Sequence, residues 1–434
     1  MLREIPWGFT KSDQWARLEV RSKDQMRFWQ SKKRIIVVPA GRRTGKTLIV
    51  KRKVVATATY FAANPAKAHI TNARFIQAAP VHDQAKEIFW LDAKAMYPEV
   101  LLAKKPNESD LTLTLLGGVR HQIRGLDRAP RVEGSPIDGI AIDEFGNIKP
   151  NVWMQNVRPA LGTRNRRGWA IITGVPRGGT QGPYAQLVRD VQSGQIPDAE
   201  VITWQAKEIV PAQELEDAKR TLDPKIFSQE YDAKFTDFGN RAYYAYDERY
   251  NTAPLAYDPR LDLVICFDFN KSPGIAVILQ EQHRMASDGE HEHYKNLPSE
   301  VADQFTAVIG EIWIPEGSNT PLVCKQLIDE WGHHRGRVHL YGDLTGGQGS
   351  RIDESGSSDW DVILKRFSSV RQWDIYDQRR RIGSGNANPA VESRVNAVNA
   401  RCFNAAGESH LLVDPRKKKA FHMARDLEGV LLLE

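Results

Sequence analysis

The sequence predicts an α/β protein built as two successive units, and three observations carry that prediction. Apolar strands alternate with helical patterns in the first half, which implies a mostly parallel, helix-covered sheet. The octapeptide Ala40-Gly41-Arg42-Arg43-Thr44-Gly45-Lys46-Thr47 sits between such a strand and such a helix, the setting a phosphate loop requires. A stretch rich in Tyr, Asn and charge, residues 237–258, breaks the periodicity, and a second α/β series follows it. The predicted organisation is a P-loop domain over 1–236, a linker over 237–258 and a second domain over 259–434.

In the first domain, residues 34–40, 74–80, 137–143, 168–176 and 200–206 read as strands, and 48–64 and 83–97 as helices. Residues 110–125 read as a hairpin, because Leu111, Leu113 and Leu115 alternate before Gly117-Gly118 turns the chain. In the second domain the predicted strands are 262–270, 274–282, 307–314, 337–343 and 371–376. The predicted helices are 321–336, 361–367, 391–405 and a basic one from Arg416.

The octapeptide departs from G-x-x-x-x-G-K-[ST] at one place: Ala40 stands at the first glycine, with Gly41 one residue later. The alternative, a basic surface turn, fits the flanking strand and helix poorly. As a phosphate loop, the backbone N–H groups of Gly41, Arg42, Arg43, Thr44 and Gly45 would face the phosphates of ATP. Lys46 would reach the β/γ-phosphates and the Thr47 hydroxyl would ligate Mg²⁺. A second signal, Gly139-Ile140-Ala141-Ile142-Asp143-Glu144, reads as a Walker B strand. Asp143 would serve the Mg²⁺ shell and Glu144 would polarise the attacking water as general base. Together with a polar residue at the end of a neighbouring strand, Thr173, these describe an ASCE-type ATPase core. Thr173 would sense the γ-phosphate; a plain strand-to-loop turn is the alternative. Arg124, Arg128 and Arg131 all precede Asp143, and one fixed guanidinium at the γ-phosphoryl group is worth ~10³ or more in rate. A solvated basic loop is the alternative for all three.

Composition is globular, with 41% hydrophobic and 26% charged residues, a net charge of +6 and a pI near 9.0. That modest excess leans towards a polyanionic partner. Cys266, Cys324 and Cys402 form no metal pattern and read as reduced, intracellular thiols. The polar start and the lack of an apolar run near 18 residues predict a soluble, cytosolic protein.

In this order the motifs resemble those of the tailed-bacteriophage terminase large subunits, DNA-packaging motor ATPases. The octapeptide is similar to the family's arginine-bearing Walker A. Ala79-Pro80 with Gln84-Ala85-Lys86-Glu87-Ile88-Phe89-Trp90 resembles an early family segment. Arg131-Val132-Glu133-Gly134 is similar to the approach to Walker B. Arg158-Pro159-Ala160-Leu161, leading to Gly168-Trp169 and residues 173–178, resembles the coupling motif, and Phe227-Ser228-Gln229-Glu230-Tyr231 the close of the ATPase domain. The resemblance implies that Arg131 is the arginine finger and Gln25 the adenine-reading glutamine, with Gln14 and Gln30 as neighbouring alternatives.

It also implies an RNase H-like nuclease domain in the second half. The residues agree: 263–268 and 338–343 are apolar strands ending in Asp268 and Asp343. Side by side, these carboxylates would hold Mg²⁺ or Mn²⁺ and cut DNA by a metal-dependent route. The bland reading is that each aspartate only starts a turn. The family's third carboxylate, after an H-x-x-D-A-like segment, is not found. Either the sequence ends short of it or another acid serves, Asp426 and Glu428 being of the right type. Arg379, Arg380, Arg381, Lys417 and Lys418 would contact the DNA backbone, unless they form merely a solvated face. Residues 388–389 and 394–399 continue the resemblance and are expected to pack the core, without chemistry.

The function implied is ATP-driven translocation of double-stranded DNA into a procapsid, with endonucleolytic cutting of concatemers. Implied partners are DNA, a portal protein, a small terminase subunit and further copies in a ring; the implied place is the cytoplasm of an infected bacterium, transiently on the procapsid. The alternative is a DNA-dependent P-loop translocase or helicase-like ATPase whose second domain only binds DNA. A third reading, a non-catalytic scaffold with a degenerate nuclease, is favoured for the second domain by the missing third acid and conflicts in the first with intact Lys46, Thr47, Asp143 and Glu144.

Overall fold

The computed structural model describes residues 20–64, 72–163, 166–269, 273–284, 297–343, 358–378 and 388–431, without the side chains of Pro130 and Arg131. By internal contacts the chain divides into two units: Met1–Glu216 with Lys225–Asp237, and Asp217–Pro224 with Phe238–Glu434. The class is α/β, with two mostly parallel sheets.

The first unit is built on seven strands: β1 (Ile35–Pro39), β2 (Arg74–Ala79), β3 (Thr112–Thr114), β4 (Arg120–Gly125), β5 (Gly139–Ile142), β6 (Trp169–Gly174) and β7 (Ala199–Val201). Their order is β3-β4-β2-β5-β6-β1-β7. Every pairing is parallel except the β3–β4 hairpin, which lies where the alternating leucines predicted it. All five residues of β1 are buried because both faces of the sheet are covered. Ile35 and Val37 point into a core with Ile140, Ile142, Trp153 and Tyr184. Ile36 and Val38 point the other way, into a core with Val50, Val54, Phe75 and Phe89. The helix after the octapeptide runs Lys46–Ala63. The strand predicted over 200–206 stops at Val201, and Trp204 makes only an isolated bridge with Ala40.

The second unit has six strands: β8 (Leu263–Asp268), β9 (Gly274–His283), β10 (Val301–Ile314), β11 (Gly336–Gly342), β12 (Trp373–Asp377) and β13 (Ser409–Val413). Their order is β12-β11-β8-β9-β10-β13. β8, β9 and β10 form an antiparallel meander, β11 and β12 run parallel to β8, and β13 runs parallel to β10. Leu263, Ile265 and Phe267 face a core shared with Val323, Leu327, Trp360 and Phe367, from the helices Thr320–Trp331 and Asp359–Phe367. On β10, Val308 faces the opposite side, towards Cys402, Ala424 and Leu427 of the helices Val391–Cys402 and Phe421–Gly429.

Other elements of this unit also differ from the sequence reading. β10 starts at Val301 rather than 307, because Val301 pairs with Ser409 of β13 and Gln304 and Phe305 pair with His283 and Gln282 of β9. β13 was not anticipated; it is five residues long and is held at the sheet edge by β10. The basic helix expected from Arg416 begins at Phe421. Arg416 is instead turned back on Asp414, its Nε donating to Oδ1 at 2.8 Å, which keeps 415–420 in a turn. All three cysteines are free, and burial pushes the Cys266, Cys324 and Cys402 thiols up to about 12. Among the described residues no helix is long and apolar enough to cross a membrane.

Candidate nucleotide site and paired aspartates

The phosphate-loop sequence leaves the C-terminal end of β1 and is held by backbone on both flanks. Ala40 N–H donates to Gly174 O at 3.0 Å and Gly41 N–H to Trp204 O at 2.9 Å. Gly41 is glycine for a steric reason: a Cβ there would lie 2.7 Å from the carbonyl oxygen of Tyr231. The glycine that replaces the usual first one thus serves close packing on the 230–231 backbone. Gly45 caps the following helix at φ +73°, a conformation that costs glycine nothing. Arg43 is also left-handed, at φ +58°. Inside the loop, Thr44 Oγ1 donates to Gly41 O at 2.8 Å.

Because β6 lies between β1 and β5, the C-terminal ends of all three strands converge. Thr47 Oγ1 donates to Asp143 Oδ2 at 2.6 Å and Thr173 Oγ1 donates to Asp143 Oδ1 at 2.8 Å. Asp143 is only 2% exposed, so its charge is taken up by these hydroxyls and by the Glu144 N–H at 3.0 Å. Lys46 Nζ stands 3.4 Å from Glu144 Oε1. Glu144 itself is left-handed at φ +52°, a strained backbone state for a non-glycine residue. Gly174 permits it: a Cβ there would lie 2.9 Å from Phe145 N and 3.2 Å from Glu144 Cα. Behind them the Tyr184 phenol is raised well above its usual range by burial, and further by Glu144 and Asp143.

Gln25, on the helix Lys23–Gln30, is buried against this loop. Its Nε2 donates to Thr44 O at 2.7 Å and its Oε1 accepts from Arg21 N–H at 2.8 Å. Both loop arginines are ion-paired, Arg42 with Glu230 and Arg43 with Glu214. Arg124 is paired with Asp110 at 3.2 Å, and Arg128 is largely exposed, with Asp127 at 4.0 Å. Arg131 lies in the 3₁₀ segment Leu126–Val132, and its side chain is outside the described set.

In the second unit β8 and β11 are adjacent and parallel, with Gly342 in register with Phe267. One step further along each strand brings Asp343 beside Asp268. Two hard-oxygen carboxylates side by side are a donor set that suits a divalent cation. Two contacts not anticipated from sequence hold Asp343: Asn388 Nδ2 donates to its Oδ1, and Trp360 Nε1 donates to its backbone O at 3.1 Å. The Asn388-Pro389 pair was the signal, but nothing in its spacing tied it to Asp343. Among the described residues no group of three or more His, Cys, Asp or Glu could hold a metal ion. Asp426 lies on Phe421–Gly429, which packs on β10, two strands from β8. Its carboxyl is raised by burial and then by Glu311, and lowered by His422 and Arg425. Lys417 and Lys418 are exposed in the turn before that helix rather than on it. Arg379, Arg380 and Arg381 lie outside the described residues.

No family model matches the chain. Two curated proteins named "Terminase, large subunit", from Thermus phage G20c and Thermus virus P23-45, are each 27% identical over 176 residues. The match covers 36% of this chain and 36% of each relative, so it spans about a third of their length. Among solved structures, the large terminase of a thermophilic bacteriophage superposes with a TM-score of 0.47 at 12% identity, covering 91% of this chain and 88% of that one. The Thermus phage P74-26 large terminase ATPase domain gives 0.42 at 18% identity, covering 50% and 95%. The chain is similar to phage terminase large subunits, the family its motifs resemble.

Proposed function

We propose that the chain is the ATP-hydrolysing, DNA-packaging subunit of a phage terminase, with an RNase H-like, metal-dependent endonuclease in its second half. The observation that carries the first part is the junction at the ends of β1, β5 and β6, where Thr47 and Thr173 both hydrogen-bond Asp143 and Lys46 meets Glu144. In this reading the loop N–H groups and Lys46 bind the triphosphate of ATP. Thr47 and Asp143 present the oxygens that would hold Mg²⁺, which would neutralise charge on the β/γ-phosphates. Glu144 orients and deprotonates the attacking water, and Thr173 reports the γ-phosphate state to the loop after β6. Arg131 remains the assigned finger, and Gln25 supports the loop through Thr44 while reading the base. A Lys46→Ala chain with undiminished DNA-stimulated ATPase would refute the site.

The second part rests on Asp268 and Asp343 at adjacent strand ends and on the β8-β9-β10 meander with β11 and β12 parallel to β8, an RNase H-like order. Mg²⁺ or Mn²⁺ held there would supply the activation of water; the two carboxylates fix its place, and Arg379, Arg380, Arg381, Lys417 and Lys418 would carry the DNA backbone. Portal protein, small subunit and a ring of copies complete the proposal, in the host cytoplasm on a procapsid. Plasmid cleavage in Mg²⁺ and Mn²⁺, beside Asp268→Ala, tests it. The second reading is a translocase whose second domain only binds DNA. Binding without cleavage would select that reading.

A further inference from the structure

We propose that Glu230 is a positioning residue of the ATP site, one buried carboxylate that clamps two arginines, Arg42 of the phosphate loop and Arg177 of the loop after β6. The proposal rests on the reading of the octapeptide as that loop. Glu230 closes the short helix Pro224–Glu230, and its side chain is 8% exposed. Its two oxygens are divided: Oε2 takes the Arg42 Nε, and Oε1 takes the Arg177 Nη2 at 2.9 Å. The Nε of Arg177 is buried and has no hydrogen-bond partner among the described residues. Arg177 therefore depends on this carboxylate for its orientation. Arg177 lies four residues beyond Thr173, so the clamp connects the strand end that touches Asp143 to the loop that would bind phosphate.

The backbone separates this role from loop support. Arg42 N–H donates to Glu230 O at 2.6 Å, and Gly41 lies flat on Glu230 and Tyr231. Those contacts use main chain and survive a change of the Glu230 side chain. What the change removes is the charge that fixes two guanidinium groups. A fixed cation matters most where charge develops, in the transition state rather than in the bound ground state. Loss of the clamp should therefore lower kcat and leave nucleotide affinity nearly intact.

The test measures kcat, KM for ATP, and Kd for ADP and ATPγS in the full chain, in Glu230→Gln, in Arg177→Gln and in the double variant. The expected result is a fall in kcat of about tenfold or more in each single variant, with Kd within about threefold and the double variant little worse than either single. Kd weakened as much as kcat falls, or kcat unchanged or raised, overturns the assignment. Should Glu230→Gln melt well below the parent, the more exposed Arg177→Gln decides alone. A parent chain that neither binds nor hydrolyses ATP overturns the ATP-site reading together with this one. A parent that does both, with variants at parental kcat, overturns only the role of Glu230.

Discussion

Thr47, on the first turn of the helix Lys46–Ala63, and Asp143, just past the end of β5, are bonded directly, hydroxyl to carboxylate at 2.6 Å. The contact holds the buried Asp143 in one rotamer and aims the Thr47 oxygen at the same point. A Thr47→Val variant keeps the volume but removes the donor. It leaves a buried charged acceptor one partner short, at a cost of about 1.5–3 kcal/mol. ATPase activity should fall about a hundredfold, while Thr47→Ser should retain most of it. Steady-state phosphate release for both variants checks this.

Gly41 should not tolerate even alanine. The new methyl would sit 2.7 Å from Tyr231 O and 3.2 Å from Glu230 O, both backbone atoms that cannot swing aside. Overpacking of this kind costs about 1–3 kcal/mol. Gly41→Ala should lower the melting temperature by several degrees and weaken ATP binding. Ala40→Gly, which restores the usual first glycine but removes a buried methyl, should lower the melting temperature slightly and leave ATP binding intact. Thermal melting with and without nucleotide distinguishes the two.

The loop, its strand and its helix were legible because each carries a local signal: five buried β-branched or proline residues, a glycine pair with Lys-Thr, and an apolar helical repeat. The strand ends at Asp268 and Asp343 were legible for the same reason, since apolar strands with terminal acids announce their own ends; that the two strands are neighbours followed from the order of elements and the family resemblance. What escaped were contacts made by one side chain at long sequence distance. Glu230 stands in the segment that resembles the close of the ATPase domain, with no partner announced, yet it pairs with residues 188 and 53 positions away. Asn388 is expected only to pack the core, without chemistry, yet it meets Asp343. β13 is too short to outweigh its neighbours without the edge of β10. The basic run at Arg416 suggested a helix, but the Arg416–Asp414 ion pair holds a turn there.

His121 should make the first unit acid-sensitive. It is fully buried on β4, with Nδ1 at 2.9 Å from the Tyr97 hydroxyl, and burial lowers its pKa from 6.5 to about 3. Between those values the unfolded chain binds a proton that the folded chain does not. The stability contributed by the neutral ring is complete above pH 6.5 and drains away as pH falls towards 3, by up to about 1.4 kcal/mol per unit. Urea titrations across that range should show the slope. His121→Gln, which cannot titrate, should flatten it by about one proton without changing the slopes contributed by the carboxylates.

Asp268 and Asp343 should act as a pair in holding a divalent cation. They end neighbouring parallel strands, where the register Gly342–Phe267 leaves them no offset. Either carboxylate alone is a weak ligand for a hard cation, and two at one point are cooperative. Asp268→Asn and Asp343→Asn should each reduce Mn²⁺ affinity about tenfold or more. The double variant should be hardly worse than either single, because the first substitution already dismantles the pair. Calorimetric Mn²⁺ titration reads this without reference to cleavage. Additive losses would mean that the two carboxylates bind separately, and no loss in either variant would mean that both merely begin turns.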